Sequence, residues 1–180
     1  MSVRQMNMLT RANVLELTAA ASELDGFDIP LPGIECRSRT GQRARGQYSI
    51  VFTFNHNVVA TGLASTTCGA STSRTIDSND PRRVIVDLRH VVCNQSDITV
   101  SLTDINDDQG NNLATASAVM TLLLGDVTGD GIVDNIDANQ VKKRKGQVTT
   151  DANFRADVNA DGFISADDLR LVRSQIGMRP

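Results

Sequence analysis

Two twelve-residue stretches near the C-terminus carry oxygen-bearing side chains at the same five places. The first presents Asp126, Thr128, Asp130, Asp134 and Asp137; the second presents Asp157, Asn159, Asp161, Ser165 and Asp168. These are positions one, three, five, nine and twelve of each stretch, with Gly131 and Gly162 at the sixth. That spacing is how an EF-hand-type loop wraps calcium, with the seventh residue offering its backbone carbonyl. Here the seventh residues are Ile132 and Phe163. Asp134 and Ser165, at the ninth place, are expected to act directly or through water. A hard cation of calcium's size takes about 6–8 oxygens at roughly 2.3–2.6 Å, and a loop this rich in protein oxygens suits it better than magnesium. Four carboxylates stand at ligand places of the first loop and three at those of the second. Without an ion their repulsion opens the loops, so folding and metal binding are expected to be coupled. The chemistry predicted is the binding of two calcium ions. The alternative is a pair of acidic turns that bind nothing.

The elements that position these loops repeat with them. After the first loop, residues 134–145 carry helix formers and a basic end, Lys142 to Lys145, and Gly146 is placed to stop the helix. After the second, Leu169, Leu171, Val172 and Ile176 give a helical apolar pattern, and Gly177 repeats the stop. An offset of 31 residues (157 − 126) superposes the two units. Each is too short to bury its apolar side alone; two packed antiparallel bury both. Ile132, Val133, Phe163 and Ile164 are expected to pack the loops against the helices. A polar connector, Gln147 to Ala156, contains Phe154.

Upstream the pattern is β. Strand candidates are Val14 to Thr18, Tyr48 to Phe54, Val58 to Leu63, Val84 to Leu88, Ile98 to Leu102 and Ala116 to Leu124. Turn signals stand between them: Asp25-Gly26, Pro32-Gly33, Asn79-Asp80-Pro81 and Asp107 to Asn112. Short strands at regular spacing predict an antiparallel, Ig-like β-sandwich. No helix is expected before residue 134, although frequent Ala leaves residues 12–23 ambiguous. The fold class is therefore mainly β over 1–124, with 1–12 a flexible lead-in, followed by a small α domain over 125–180 built from two loop–helix repeats.

Residues 125–177 resemble a type I dockerin. The duplicated loop, Asp rather than Glu at the twelfth place (Asp137, Asp168), one helix per loop and a strand-like Thr121 to Leu124 before the first loop carry the resemblance. It implies a non-catalytic, extracellular or cell-surface module that docks onto a cohesin-like protein domain, often in an assembly that degrades polysaccharide. It also implies partner-binding residues: Asn135, Ile136, Lys142 and Lys143 in the first unit, Ala166, Asp167, Arg173 and Ser174 in the second. Thr128 stands where Asn or Asp is usual in that family. Asn135-Ile136 and Ala166-Asp167 replace a frequent small hydroxyl pair. The stretch Phe27 to Arg37, with Ile50 to Phe54 and the connector Asn153-Phe154-Arg155, is similar to a β-sandwich that precedes dockerin repeats at the C-terminal ends of bacterial secreted or surface proteins. That likeness implies location, not chemistry.

The bulk numbers narrow the alternatives. A net charge of −3 argues against a nucleic-acid binder. Aromatics are 3% with no Trp, which speaks against a carbohydrate-binding module. No nucleophile elbow, phosphate loop or zinc signature is present. Glu16, Glu23 and Glu35 are scattered and make no glycosidase pair. His56 and His90 read as ordinary surface or loop residues. Arg37, Arg39, Arg43 and Arg45 read as a solvated basic hairpin, and Asp104 to Asp108 as a polar turn rather than a third cation site. Cys36, Cys68 and Cys93 permit one disulfide and one thiol, or three thiols, with the pairing open. Residues 1–10 lack the apolar core of a secretory signal, so either the chain is cytoplasmic or its leader lies outside this numbering. No stretch is long enough to span a membrane. A second functional reading is a calcium-stiffened subunit of a surface layer or fibre. In it an N-terminal strand such as Val14 to Leu17 pairs with a neighbour's sheet edge, so that the chain self-associates through its β-sandwich.

Overall fold

The computed structural model describes residues 17–22, 28–38 and 46–180. Among the described residues ten strands precede two α-helices: β1 Leu17–Ser22, β2 Asp28–Pro30, β3 Gly33–Glu35, β4 Tyr48–Phe54, β5 Val58–Ala60, β6 Ala64–Thr66, β7 Ser71–Ile76, β8 Arg83–Arg89, β9 Ser96–Asp107, β10 Asn112–Leu122, α1 Asn135–Arg144 and α2 Ala166–Gln175. The chain is mostly β, and among the described residues no helix precedes Asn135.

One sheet runs in the order β2-β1-β4-β8-β7, the other β3-β10-β9-β5 with β6 also paired to β9. The chain crosses from the first sheet to the second between β2 and β3, at the cis Leu31-Pro32 bond. Alternation fixes the inward faces, because successive strand residues point to opposite sides. Tyr48, Ile50 and Phe52 of β4 stand opposite Leu88, Val86 and Val84 of β8. Ile98, Val100 and Leu102 of β9 stand opposite Met120, Ala118 and Ala116 of β10. All twelve are buried in one apolar cluster fed by both sheets. The sequence-read strands on β4 and β8 fall close to their observed bounds. β9 extends beyond both of its expected ends, β10 begins at Asn112 but ends at Leu122 rather than Leu124, and the strand expected over Val58 to Leu63 is only Val58–Ala60. The described part of the Ala-rich stretch 12–23, Leu17–Ser22, is strand: Leu17 opens β1 and pairs with Phe54 of the same chain. Residues 1–16, the Asp25-Gly26 turn, Phe27, Arg39, Arg43 and Arg45 lie outside the described residues.

A second apolar cluster lies beyond the sheets. It gathers Leu123, Val127, Val133, Ala138, Val141, Ala156, Val158, Ile164 and Val172, with Ile34 of β3 packed against it. The clusters divide between Leu122 and Leu123. Val133 and Ile164 are fully buried, but their neighbours Ile132 and Phe163 remain 43% and 44% exposed. Of each expected pair only the second residue is buried; the other apolar anchors of the loops are Val127 and Val158.

Cys68 and Cys93 form a disulfide, and Cys36 is a buried free cysteine. Arg37 departs from the basic hairpin expected for it. Its side chain is fully buried and pairs with Glu35 at 3.0 Å, since a guanidinium removed from water needs a carboxylate close by.

Candidate metal centre

Each acidic loop is organised by its first and twelfth residues, and the two copies share a core of amide hydrogen bonds. The match does not extend to every bond: Asp126 alone also accepts from the Gly129 amide at 2.7 Å, and Asp157 alone from the Thr149 hydroxyl at 2.7 Å. In the first loop Asp126 accepts from the amides of Asp130 at 3.2 Å and Gly131 at 2.9 Å. In the second Asp157 accepts from Asp161 at 3.1 Å and Gly162 at 2.9 Å. Asp137 accepts from the amide of Thr128 at 2.9 Å and that of Asp134 at 2.8 Å. Asp168 accepts likewise from Asn159 at 3.0 Å and Ser165 at 2.7 Å. Asp130 and Asp161 each receive the amide two residues on, from Ile132 and Phe163. Gly131 and Gly162 hold φ of 87° and 91°, a region that costs an L side chain roughly 1–2 kcal/mol. Nothing lies within 4 Å of a Cβ built at either. Backbone conformation, not space, therefore calls for glycine.

The ninth residues have a defined place. Asp134 and Ser165 are the N-caps of α1 and α2, accepting from the amides of Ile136 and Asp167. Asp137 and Asp168 complete the two capping boxes. A twelfth-place carboxylate therefore ties three things together: the third residue, the ninth residue and the start of the helix.

The helices are held across the repeat. Gly146, after α1, donates to Ile164 O at 2.8 Å, and Ile164 donates back to Gln147 O at 2.9 Å. Gly177, after α2, donates to Val133 O at 2.8 Å, and Val133 donates to Met178 O at 3.0 Å. Each helix end is thus bonded to the other repeat's loop.

The electrostatics ask for positive charge. Asp126, Asp137 and Asp168 are fully buried and Asp157 is 1% exposed. Among the described residues none of the four has a cationic side chain within ion-pair distance. In the first loop the Thr128 hydroxyl lies 3.2 Å from Asp126 and 3.0 Å from Asp137, so both carboxylates face one point. Burial, with the Asp157 carboxylate nearby, pushes the Asp168 carboxyl above its usual range, against the hydrogen bonds it accepts from Asn159 and Ser165. Buried carboxylates in this state are costly unless paired or bound to a metal.

Among the described residues no three His, Cys, Asp or Glu side chains already stand in metal-holding geometry. The carboxylates hold loop amides instead. The donor set nevertheless fits a hard cation, because an EF-type site also draws on carbonyl, hydroxyl and amide oxygens. Thr128, Asn159 and the Ile132 and Phe163 carbonyls supply these.

All eight residues expected to meet a partner are exposed: Asn135, Ile136, Lys142 and Lys143 on α1, and Ala166, Asp167, Arg173 and Ser174 on α2. Asp167 and Ser174 also line a shallow groove with Asn159, Arg170 and Leu171. His56 lies in the bend between β4 and β5, half-exposed, with Nδ1 2.9 Å from Asp107. Asp107 also accepts from the amides of Gln109 and Asn111 and the Asn111 side chain, closing the β9–β10 turn rather than a third cation site. His90 is exposed, with a φ of 62°.

Residues 124–177 match the family described as dockerin type I domain. No curated protein and no solved structure matches the chain.

Proposed function

We propose that the chain is a non-catalytic, extracellular attachment protein: an Ig-like β-sandwich over 1–124 carrying a dockerin-type calcium module over 125–180. The dockerin type I match covers the part of the chain that holds both loops. Dockerins of this type bind calcium and dock onto cohesin; they are not catalytic modules. The observation that carries the reading is the duplicated cluster of buried carboxylates without a cationic partner among the described residues.

One calcium ion would be held by Asp126, Thr128, Asp130 and Asp137 with the Ile132 carbonyl. A second would be held by Asp157, Asn159, Asp161 and Asp168 with the Phe163 carbonyl. Asp134 and Ser165, engaged as helix caps, would reach their ions through water. The ion supplies positive charge at the point the carboxylates face; the chain's own part is to fix the loop and the start of the following helix through Asp137 or Asp168. With α1 and α2 so fixed, Asn135, Ile136, Lys142 and Lys143, or Ala166, Asp167, Arg173 and Ser174, are presented to a cohesin-like protein domain. The Cys68–Cys93 disulfide fits an oxidising compartment outside the cytoplasm. Among the described residues no helix is long and apolar enough to cross a membrane.

The test is capture of the full chain by immobilised cohesin domains, with calcium and with EGTA. Capture is expected with calcium alone and is lost in the double variant Asp126→Ala, Asp157→Ala. Capture that ignores EGTA, or none across a broad cohesin panel, contradicts the docking role.

A further inference from the structure

Two sequence stretches without an assigned role, Gly33 to Arg37 and Asn153-Phe154-Arg155, meet in space. Arg155 sits in the connector between the two acidic loops. Its guanidinium donates Nη1 to Ile34 O at 2.9 Å, Nε to Val127 O at 2.9 Å and Nη2 to Asp126 O at 2.6 Å. One side chain thus joins strand β3 to the start of the first loop, and it stands two residues before Asp157, the start of the second. The Cys36 thiol donates to Arg155 O at 3.5 Å, and Arg37 lies 4.7 Å from the centre of the Phe154 ring. The backbone closes the same seam: Ser38 N donates to Val158 O at 2.9 Å and Gly125 N to Cys36 O at 2.9 Å. From the loop before β9, Asn94 accepts from Leu124 N at 2.9 Å and donates to Gln175 of α2 at 3.3 Å.

We propose that these contacts are a lock that makes the β-sheets and the loop module one cooperative unit, so that a cation bound in the loops stabilises the sheets as well. This rests on the calcium reading above for its second half only; the lock itself stands on the contacts just given. Arg155 is its positioning residue. Opening the clamp leaves the carbonyls of buried Asp126 and Val127 without the donor that Arg155 supplies.

Cys36 is a built-in reporter. It is the thiol left over from the disulfide, fully buried, and burial pushes it up to about 12, so it stays a neutral thiol while the seam is shut. The experiment uses the oxidised full chain and a maleimide, with calcium as the added ion. At about 100 times the dissociation constant, one filled site is expected to slow Cys36 labelling roughly 100-fold, because the thiol is reached only from an ion-free open state. In Arg155→Ala the calcium effect on labelling is lost. Melting of the wild-type chain shows one transition that calcium moves as a whole, by roughly 10 °C. The variant shows two, of which calcium moves only the smaller. Should Arg155→Ala fail to fold, Asn94→Ala, which touches neither loop, takes its place. Two wild-type transitions with only one sensitive to calcium, or unchanged Cys36 labelling beside a calcium-shifted melt, overturn the lock while leaving the calcium sites intact. A single transition that calcium does not move overturns the calcium reading and the transmission built on it.

Discussion

At the scale of single residues, Asp137 and Asp168 do the most. Each accepts two amides, completes a capping box and faces the point where positive charge is wanted. Asp137→Asn keeps an acceptor of the same shape but removes the charge. It is expected to leave the fold intact in calcium and to weaken the first site at least about tenfold, about 1.4 kcal/mol, read by calcium titration. Equal affinity would show that the carboxylate serves only the cap. Gly131→Ala tests the backbone instead: at φ 87° it is expected to cost about 1–2 kcal/mol without a clash, seen as a lower melting temperature. Asp107 gives the β-unit a pH dependence of its own. Burial acts to raise its carboxyl, but hydrogen bonds from Asn111, His56 and Gln109 outweigh it and hold the group at about 2. A folded-state value below the ordinary 3.8 means that the stabilisation is complete above that value and is lost as pH falls toward 2. The melting-temperature gap between wild type and Asp107→Asn is therefore expected to narrow between pH 4 and pH 2. A constant gap would contradict it.

At the scale of elements, local patterns were legible and distant ones were not. The loops and helices could be read because their ligand, cap and stop residues lie within twelve to twenty residues of one another. β4 could be read because it is paired on both edges and its run, Tyr-Ser-Ile-Val-Phe-Thr-Phe, is rich in aromatic and β-branched residues. β7, with the sequence Ser-Thr-Ser-Arg-Thr-Ile, was hidden because an exposed edge strand needs little apolar character. β3 was hidden because its three residues pair in parallel with β10, far away in sequence. Arg37 was grouped with neighbouring arginines, since nothing local reveals that Glu35 is buried beside it. The role of Arg155 depends on Ile34, separated by 121 residues. The disulfide is also an element-scale device. It links the turn after β6 to the loop before β9 across a separation of 25 residues, for which loop-closure entropy gives about 3.5 kcal/mol. Reduction is expected to lower the melting temperature by roughly 10 °C. An unchanged melt would mean that this loop contributes little constraint.

At the scale of the whole molecule, two apolar clusters meet at the end of β10, and the acidic loops sit beside that junction. The charge pattern is what supports a bound cation in the C-terminal module. Four buried carboxylates in two loops stand against a core that is small, and a filled site at about 100 times its dissociation constant adds roughly 2.7 kcal/mol. The exposed faces of α1 and α2 are then available to a partner, while β3 and the Arg155 clamp keep the module seated on the sheets. The most direct measurement is calorimetric titration of calcium into the chelator-stripped full chain. Saturable heat with two ions bound per chain is the result expected. Absence of heat, together with a melting curve that EGTA leaves where it was, would contradict the account at its base.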